Sequence, residues 1–116
     1  MDKILIVDDD RAIRSSLTLM LSRSGKEVEA VATPAEAIAT VRKAVPRLIL
    51  MDMNFGLSTT GEEGLFLLRQ IKVLHPEVPV ILMTAWGSIP LAVEGMQAGA
   101  FDFITKPWNN LLLMQR

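Results

Sequence analysis

The stretch ILIVDDD, residues 4–10, decides the fold. Ile4, Leu5, Ile6 and Val7 form a short continuous apolar run, three of the four β-branched. Such a run fits a strand buried on both faces, the kind that builds a parallel sheet. It ends in Asp8, Asp9 and Asp10. Neighbouring carboxylates repel, so three of them at the end of the most apolar strand need a physical reason.

Outward from this stretch, strand-like and helix-like patterns alternate. Ile13, Leu17, Met20, Leu21 and Ser24 recur at helical spacing, and Gly25 stops that helix. Val28–Val31 reads as a second, less apolar strand at a sheet edge. Thr33-Pro34-Ala35-Glu36 combines a capping box with proline at the first helical position. Ala37, Ile38, Val41, Ala44 and Val45 give the second helix its apolar face, and Pro46 ends it. Leu48–Met51 is another apolar run, and it too terminates in an aspartate, Asp52. A loop follows, then a third helix marked by Leu65, Leu68, Ile71 and Leu74 and closed by His75-Pro76. Val80–Met83 is a fourth strand ending at Thr84. Ser88 caps a fourth helix that starts near Pro90 and carries Gly95 inside, a residue costing about 1 kcal/mol against alanine there. Phe101–Ile104 is a fifth strand, followed by Lys106-Pro107, and Asn109–Arg116 begins a fifth helix. Five strand–helix repeats imply an α/β fold with a parallel sheet covered on both faces.

Bulk properties narrow the function classes. The chain has 116 residues, suited to one domain, with half of them hydrophobic and a mean hydropathy of +0.33. Twelve basic and thirteen acidic residues leave a net charge of −1, so no positive field exists for direct nucleic-acid binding. With no cysteine, neither a disulfide framework nor a thiolate metal site can form. No signal peptide and no membrane-length apolar run are present, and the expectation is a cytoplasmic domain away from membranes. The closing LLLMQR opens an apolar helix with little room to finish, which points to a longer protein.

Asp8, Asp9, Asp52, Thr84 and Lys106 all fall at C-terminal ends of strands. In an open α/β sheet those ends share one rim, where ligands bind. Two unit charges 4 Å apart cost about 1 kcal/mol in water and about 4 kcal/mol at an effective dielectric of 20. A divalent cation removes that cost. The donors are all oxygen, which suits Mg²⁺, or Mn²⁺ in its place. Asp10 has a separate task, capping the first helix where the dipole favours negative charge.

The chain resembles the receiver domain of two-component response regulators across essentially its whole length. The matching elements are ILIVDDD, LILMD ending at Asp52, VILMTA with Thr84-Ala85, and DFITKP with Lys106-Pro107. The resemblance implies a flavodoxin-like (βα)5 three-layer sandwich with strand order 2-1-3-4-5. Receivers are themselves an example of sheets that bind ligands at this rim. The resemblance also implies residue roles. Asp52 is the phosphoacceptor for a phosphoryl group from a sensor histidine kinase. Asp9 binds Mg²⁺ directly and Asp8 through water, and the Asn54 backbone carbonyl completes the set with Asp52. Lys106 pairs with phosphoryl oxygens, Thr84 moves toward the new phosphate, and Phe103 is the aromatic that reports the switch. The bond before Pro107 is cis in such domains. Strand four then passes the movement to helix four, switching the surface of helix 4, strand 5 and helix 5.

TAWGSIPLAVEGMQAGAFDFITKPW is similar to receivers of the nitrogen-regulation type. Those precede an ATPase domain that remodels polymerase carrying the alternative sigma factor, and then a DNA-binding domain. Residues 1–116 would be the N-terminal receiver of such a regulator, with homodimerisation on phosphorylation left open. One departure is MNFGLSTTGEEG, residues 53–64, which lacks the family's proline after the phosphoacceptor and runs longer. Within it Thr60 and Glu63 form a capping box, and no P-loop lysine follows the glycines.

Taken singly, each rim residue has a plain reading as a cap, a turn or a solvated side chain. His75 reads as helix punctuation, and Met20, Met51 and Met83 as core. Trp86 and Trp108 divide between packing and a partner surface. An enzyme is the alternative: haloacid-dehalogenase-like phosphatases also join an aspartate nucleophile to Mg²⁺ on a parallel sheet. Their acid/base aspartate follows two residues after the nucleophile, where this chain has Asn54, which cannot shuttle a proton that way. A third reading is an interaction module with its site unused.

Overall fold

The three inner strands of the sheet are built from runs that are apolar at nearly every position, and the edge strand at residues 27–31 alternates with glutamates. In the computed structural model, which describes residues 3–53, 62–84 and 89–105, the strands are β1 (Lys3–Val7), β2 (Glu27–Val31), β3 (Leu48–Asp52), β4 (Val80–Thr84) and β5 (Asp102–Thr105). All pairings are parallel and the order is β2-β1-β3-β4-β5. The order and the three-layer arrangement agree with the flavodoxin-like expectation. The alternation of side chains explains the two greasy faces. Leu5, Val7, Ile49, Met51, Val80 and Leu82 enter one core cluster, while Ile4, Ile6, Leu50, Ile81 and Met83 enter the other.

Helices α1 (Arg11–Arg23), α2 (Pro34–Lys43), α3 (Glu62–Leu74) and α4 (Ile89–Gln97) connect the strands. Leu17 and Leu21 of α1 close one face of the sheet; Ala37 and Val41 of α2 and Leu65, Leu67, Leu68 and Ile71 of α3 close the other. Helix α1 ends in a Schellman turn. Lys26 N–H donates to Leu21 O at 3.2 Å and Gly25 N–H to Ser22 O at 3.0 Å, with Gly25 at φ 82°. At the start of α2, Thr33 Oγ1 accepts from Glu36 N–H and Glu36 Oε1 accepts from Thr33 N–H, the capping box legible in the sequence.

Some expectations shift. Ser24 lies past the end of α1 as its C-cap, not on its apolar face. Helix α2 stops at Lys43, leaving Ala44 exposed as its C-cap. Leu74, the last residue of α3, is 37% exposed and not part of the core face. Strand β5 starts one residue later than read: Phe101 is 63% exposed, though its N–H donates to Val80 O at 2.8 Å. His75 does more than punctuate. Its Nε2 lies 2.8 Å from Val41 O. A carbonyl only accepts, so Nε2 carries the proton and ties the end of α3 to α2. The fifth helix, Ser88, Thr60, the Pro107 peptide bond, Trp86 and Trp108 lie outside the described residues.

Candidate functional site

Two strand ends converge on the site. Beyond β1 the backbone continues the ladder for one residue, Asp8 N–H donating to Val31 O at 3.1 Å. Asp8 Oδ1 then accepts the N–H of Asp10 at 2.9 Å, which turns the chain toward α1. Arg14, one turn into α1, donates from Nη1 to Asp8 O at 2.9 Å. Asp8 is thus fixed through its N–H, its carbonyl and its carboxylate, and it is fully buried. Asp10 caps α1 as read, accepting from Ala12 N–H at 2.8 Å and Ile13 N–H at 3.4 Å.

Asp52 is the last residue of β3, paired with Met83 of β4 and only 5% exposed. Asp9 is exposed beside it. One carboxylate oxygen from each of Asp8, Asp9 and Asp52 lies within 4.8 Å of the others. Three formal negative charges at that separation, two of them on buried groups, suit a hard divalent cation with oxygen ligands. The donor set therefore fits Mg²⁺, with Asp8, Asp9 and Asp52 as the residues that would hold it.

The other sequence-derived site residues divide. The backbone of Thr84 ends β4 in register with Thr105, on the same rim as Asp52; its side chain lies outside the described residues. Asn54 and Lys106 also lie outside them. Phe103, in β5, is half-buried and packs against the core cluster beneath α3. Two residues escaped the sequence reading. Arg14 carried only the signal of a cation four residues after a cap, and Met53 only that of an apolar residue after Asp52. Met53 is fully buried, and its N–H donates to Met83 O at 3.1 Å. A cleft of about 330 Å³ is lined by Lys3, Glu29, Lys43 and Pro46 at the opposite rim, away from the carboxylates. Among the described residues no helix is long and apolar enough to cross a membrane.

Comparison with known proteins gives a consistent result. Residues 4–116 match the response regulator receiver domain family. The C4-dicarboxylate transport transcriptional regulatory protein DctD of Rhizobium meliloti (strain 1021) is 36% identical over 105 residues, covering 90% of this chain and 22% of that protein. The DNA-binding transcriptional regulator NtrC of Escherichia coli (strain K12) is 37% identical over 106 residues, covering 91% of this chain and 22% of that protein. This chain therefore spans less than a quarter of either relative. The crystal structure of the receiver domain of NtrX from Brucella abortus superposes with a TM-score of 0.89 at 37% identity, covering 97% of this chain and 92% of that one.

Proposed function

The chain belongs to the response regulator receiver domain family, and from that membership we propose that it is a phosphoacceptor with Asp52 as the residue modified. The observation that carries this is the convergence of Asp8, Asp9 and Asp52 from two strand ends to within 4.8 Å. A bound Mg²⁺ would supply charge neutralisation for phosphoryl oxygens at this rim. The chain's own residues do the rest. Asp8, held by Val31, Asp10 and Arg14, keeps one wall of the pocket in place. An oxygen of Asp52 forms the new O–P bond as the P–N bond of a kinase phosphohistidine breaks. The imidazole leaves with the bonding pair. Lys106 pairs with the transferred oxygens, and Thr84 moves toward them as a hydrogen-bond donor. The product carries about −2 charge and new acceptor oxygens, which is enough to reorder neighbouring segments.

The partners proposed are a sensor histidine kinase and the output part of a longer regulator, an ATPase and a DNA-binding domain acting on transcription. The relatives named as transcriptional regulators support that branch. The phosphatase alternative has less support, since Asn54 stands where a proton shuttle would be needed.

Incubation with acetyl phosphate and Mg²⁺, followed by intact-mass measurement, tests the proposal. One alkali-labile phosphoryl group per chain is expected, lost in Asp52→Asn and on chelation of Mg²⁺. Multiple turnover on a phosphomonoester would favour the phosphatase instead. Millimolar Mg²⁺ is also expected to raise the melting temperature of the wild type and not of Asp9→Asn; an equal rise in both would remove Asp9 from the site.

A further inference from the structure

Met53, the residue after Asp52, meets three different elements. Its N–H is held by Met83 O of β4 at 3.1 Å. On the α3 side, a Cβ placed on Gly64 would collide with the carbonyl oxygen, Cα and carbonyl carbon of Met53. Backbone therefore lies directly on backbone there, and neither can yield. On the α4 side, a Cβ on Gly95 would overlap Leu82 Cδ1 and come to 3.7 Å from Met53 Cε. Here the contact is with ends of side chains, which can move.

We infer that Met53 is a positioning residue that couples the Asp52 carboxylate to helix α4 through its side chain, whose Cε faces the position a Cβ would take on Gly95. The inference rests on the phosphoacceptor reading of Asp52. It adds a route separate from Thr84. A displacement of the backbone at residues 52–53 is blocked toward α3 and tethered toward β4. Among the described neighbours the softer route is the methionine side chain, whose end faces Gly95 of α4. The helix is suited to respond: from Val93 to Gln97 only Gly95 is buried, so this part of α4 has no buried side chain holding it to the sheet. Met53 itself is fully buried and fills its space, so motion at one end is felt at the other.

The experiment uses the protein with and without acetyl phosphate and Mg²⁺. It reads phosphorylation by intact mass and α4 by hydrogen exchange of peptides covering residues 93–97. The variants are Met53→Ala, Met53→Leu and Gly95→Ala. In the wild type, phosphorylation is expected to change α4 exchange. In Met53→Ala the mass gain remains while the α4 change falls about threefold or more, within the range of side chains along a coupling route. Met53→Leu, which refills the space, is expected to restore most of it; the retained mass gain in Met53→Ala separates lost coupling from lost folding. Gly95→Ala, which leaves Met53 intact, is expected to lower the change as well. Full α4 change in phosphorylated Met53→Ala and Gly95→Ala overturns the inference, as does a phosphorylated wild type whose α4 does not change. A wild type that gains no mass overturns the phosphoacceptor reading and the coupling with it, a distinct signature.

Discussion

Helices α3 and α4 both turn a glycine toward Met53, yet their described side chains are held in different ways. Helix α3 buries Leu65, Leu67, Leu68 and Ile71, none more than 4% exposed. Its far end is stitched twice more, by His75 Nε2 to Val41 O at 2.8 Å and by Lys72 Nζ donating to Val78 O at 2.6 Å. Helix α4 exposes Val93, Glu94, Met96 and Gln97 and buries Gly95. Gly64 brings backbone onto backbone, whereas Gly95 faces the side-chain ends of Leu82 and Met53. The same residue type thus faces backbone in one helix and side-chain ends in the other. What differs is the hardness of the surface it meets.

The difference breaks most visibly if α3 can be loosened cheaply. Leu68→Ala removes a fully buried side chain and is expected to cost about 2–5 kcal/mol in urea unfolding. A cost near zero would mean that α3 is no better anchored than α4. Gly64→Ala forces a Cβ into the Met53 backbone and is expected to cost about 1–3 kcal/mol, the range of overpacking. It should also slow phosphorylation, because it displaces the residue next to Asp52. Gly95→Ala sharpens the contrast. Alanine gains about 1 kcal/mol of helix propensity against the displacement of a Leu82 methyl, so the net change in stability is expected to stay within about 1 kcal/mol. A loss equal to that of Gly64→Ala would show that Gly95 meets an equally hard surface.

The smallest expected effect tests whether acid reaches the anchored side first. The N–H of Ala32 and the Thr33 side chain and N–H hold the Glu36 carboxyl below its usual value of 4.5 against a desolvation effect in the other direction, with Arg14 adding attraction. A lowered folded-state pKa stabilises the fold above 4.5, and that stabilisation is lost as pH falls through the lowered value. Wild type is therefore expected to melt above Glu36→Gln near neutral pH, and the gap should close on acidification below 4.5. A gap independent of pH would remove the charge on Glu36 from the capping of α2.

Much of the fold was legible because its signals are local. The apolar runs at 4–7, 48–51 and 80–83 needed no partner to be read as buried strands, and Thr33 to Glu36 carries its capping box within one turn. Asp10 as a cap was legible for the same reason. The acid cluster was legible in outline, since strand ends share a rim in any such sheet. Propensity gave the cost of Gly95 but not its reason: a Cβ there would overlap Leu82, so the glycine allows close approach. Phe101 was read into β5 because an apolar residue beside a strand looks like more strand.

The sequence alone determined which segments become strands and helices and that carboxylates gather at the strand ends, because periodicity and caps act over a few residues. Only the tertiary structure decided that Arg14 would hold the Asp8 carbonyl, that His75 would reach Val41, and that Met53 would face Gly64 through its backbone and Gly95 through its side chain. Those outcomes depend on distances between segments far apart along the chain, and such distances exist only once the layers have packed.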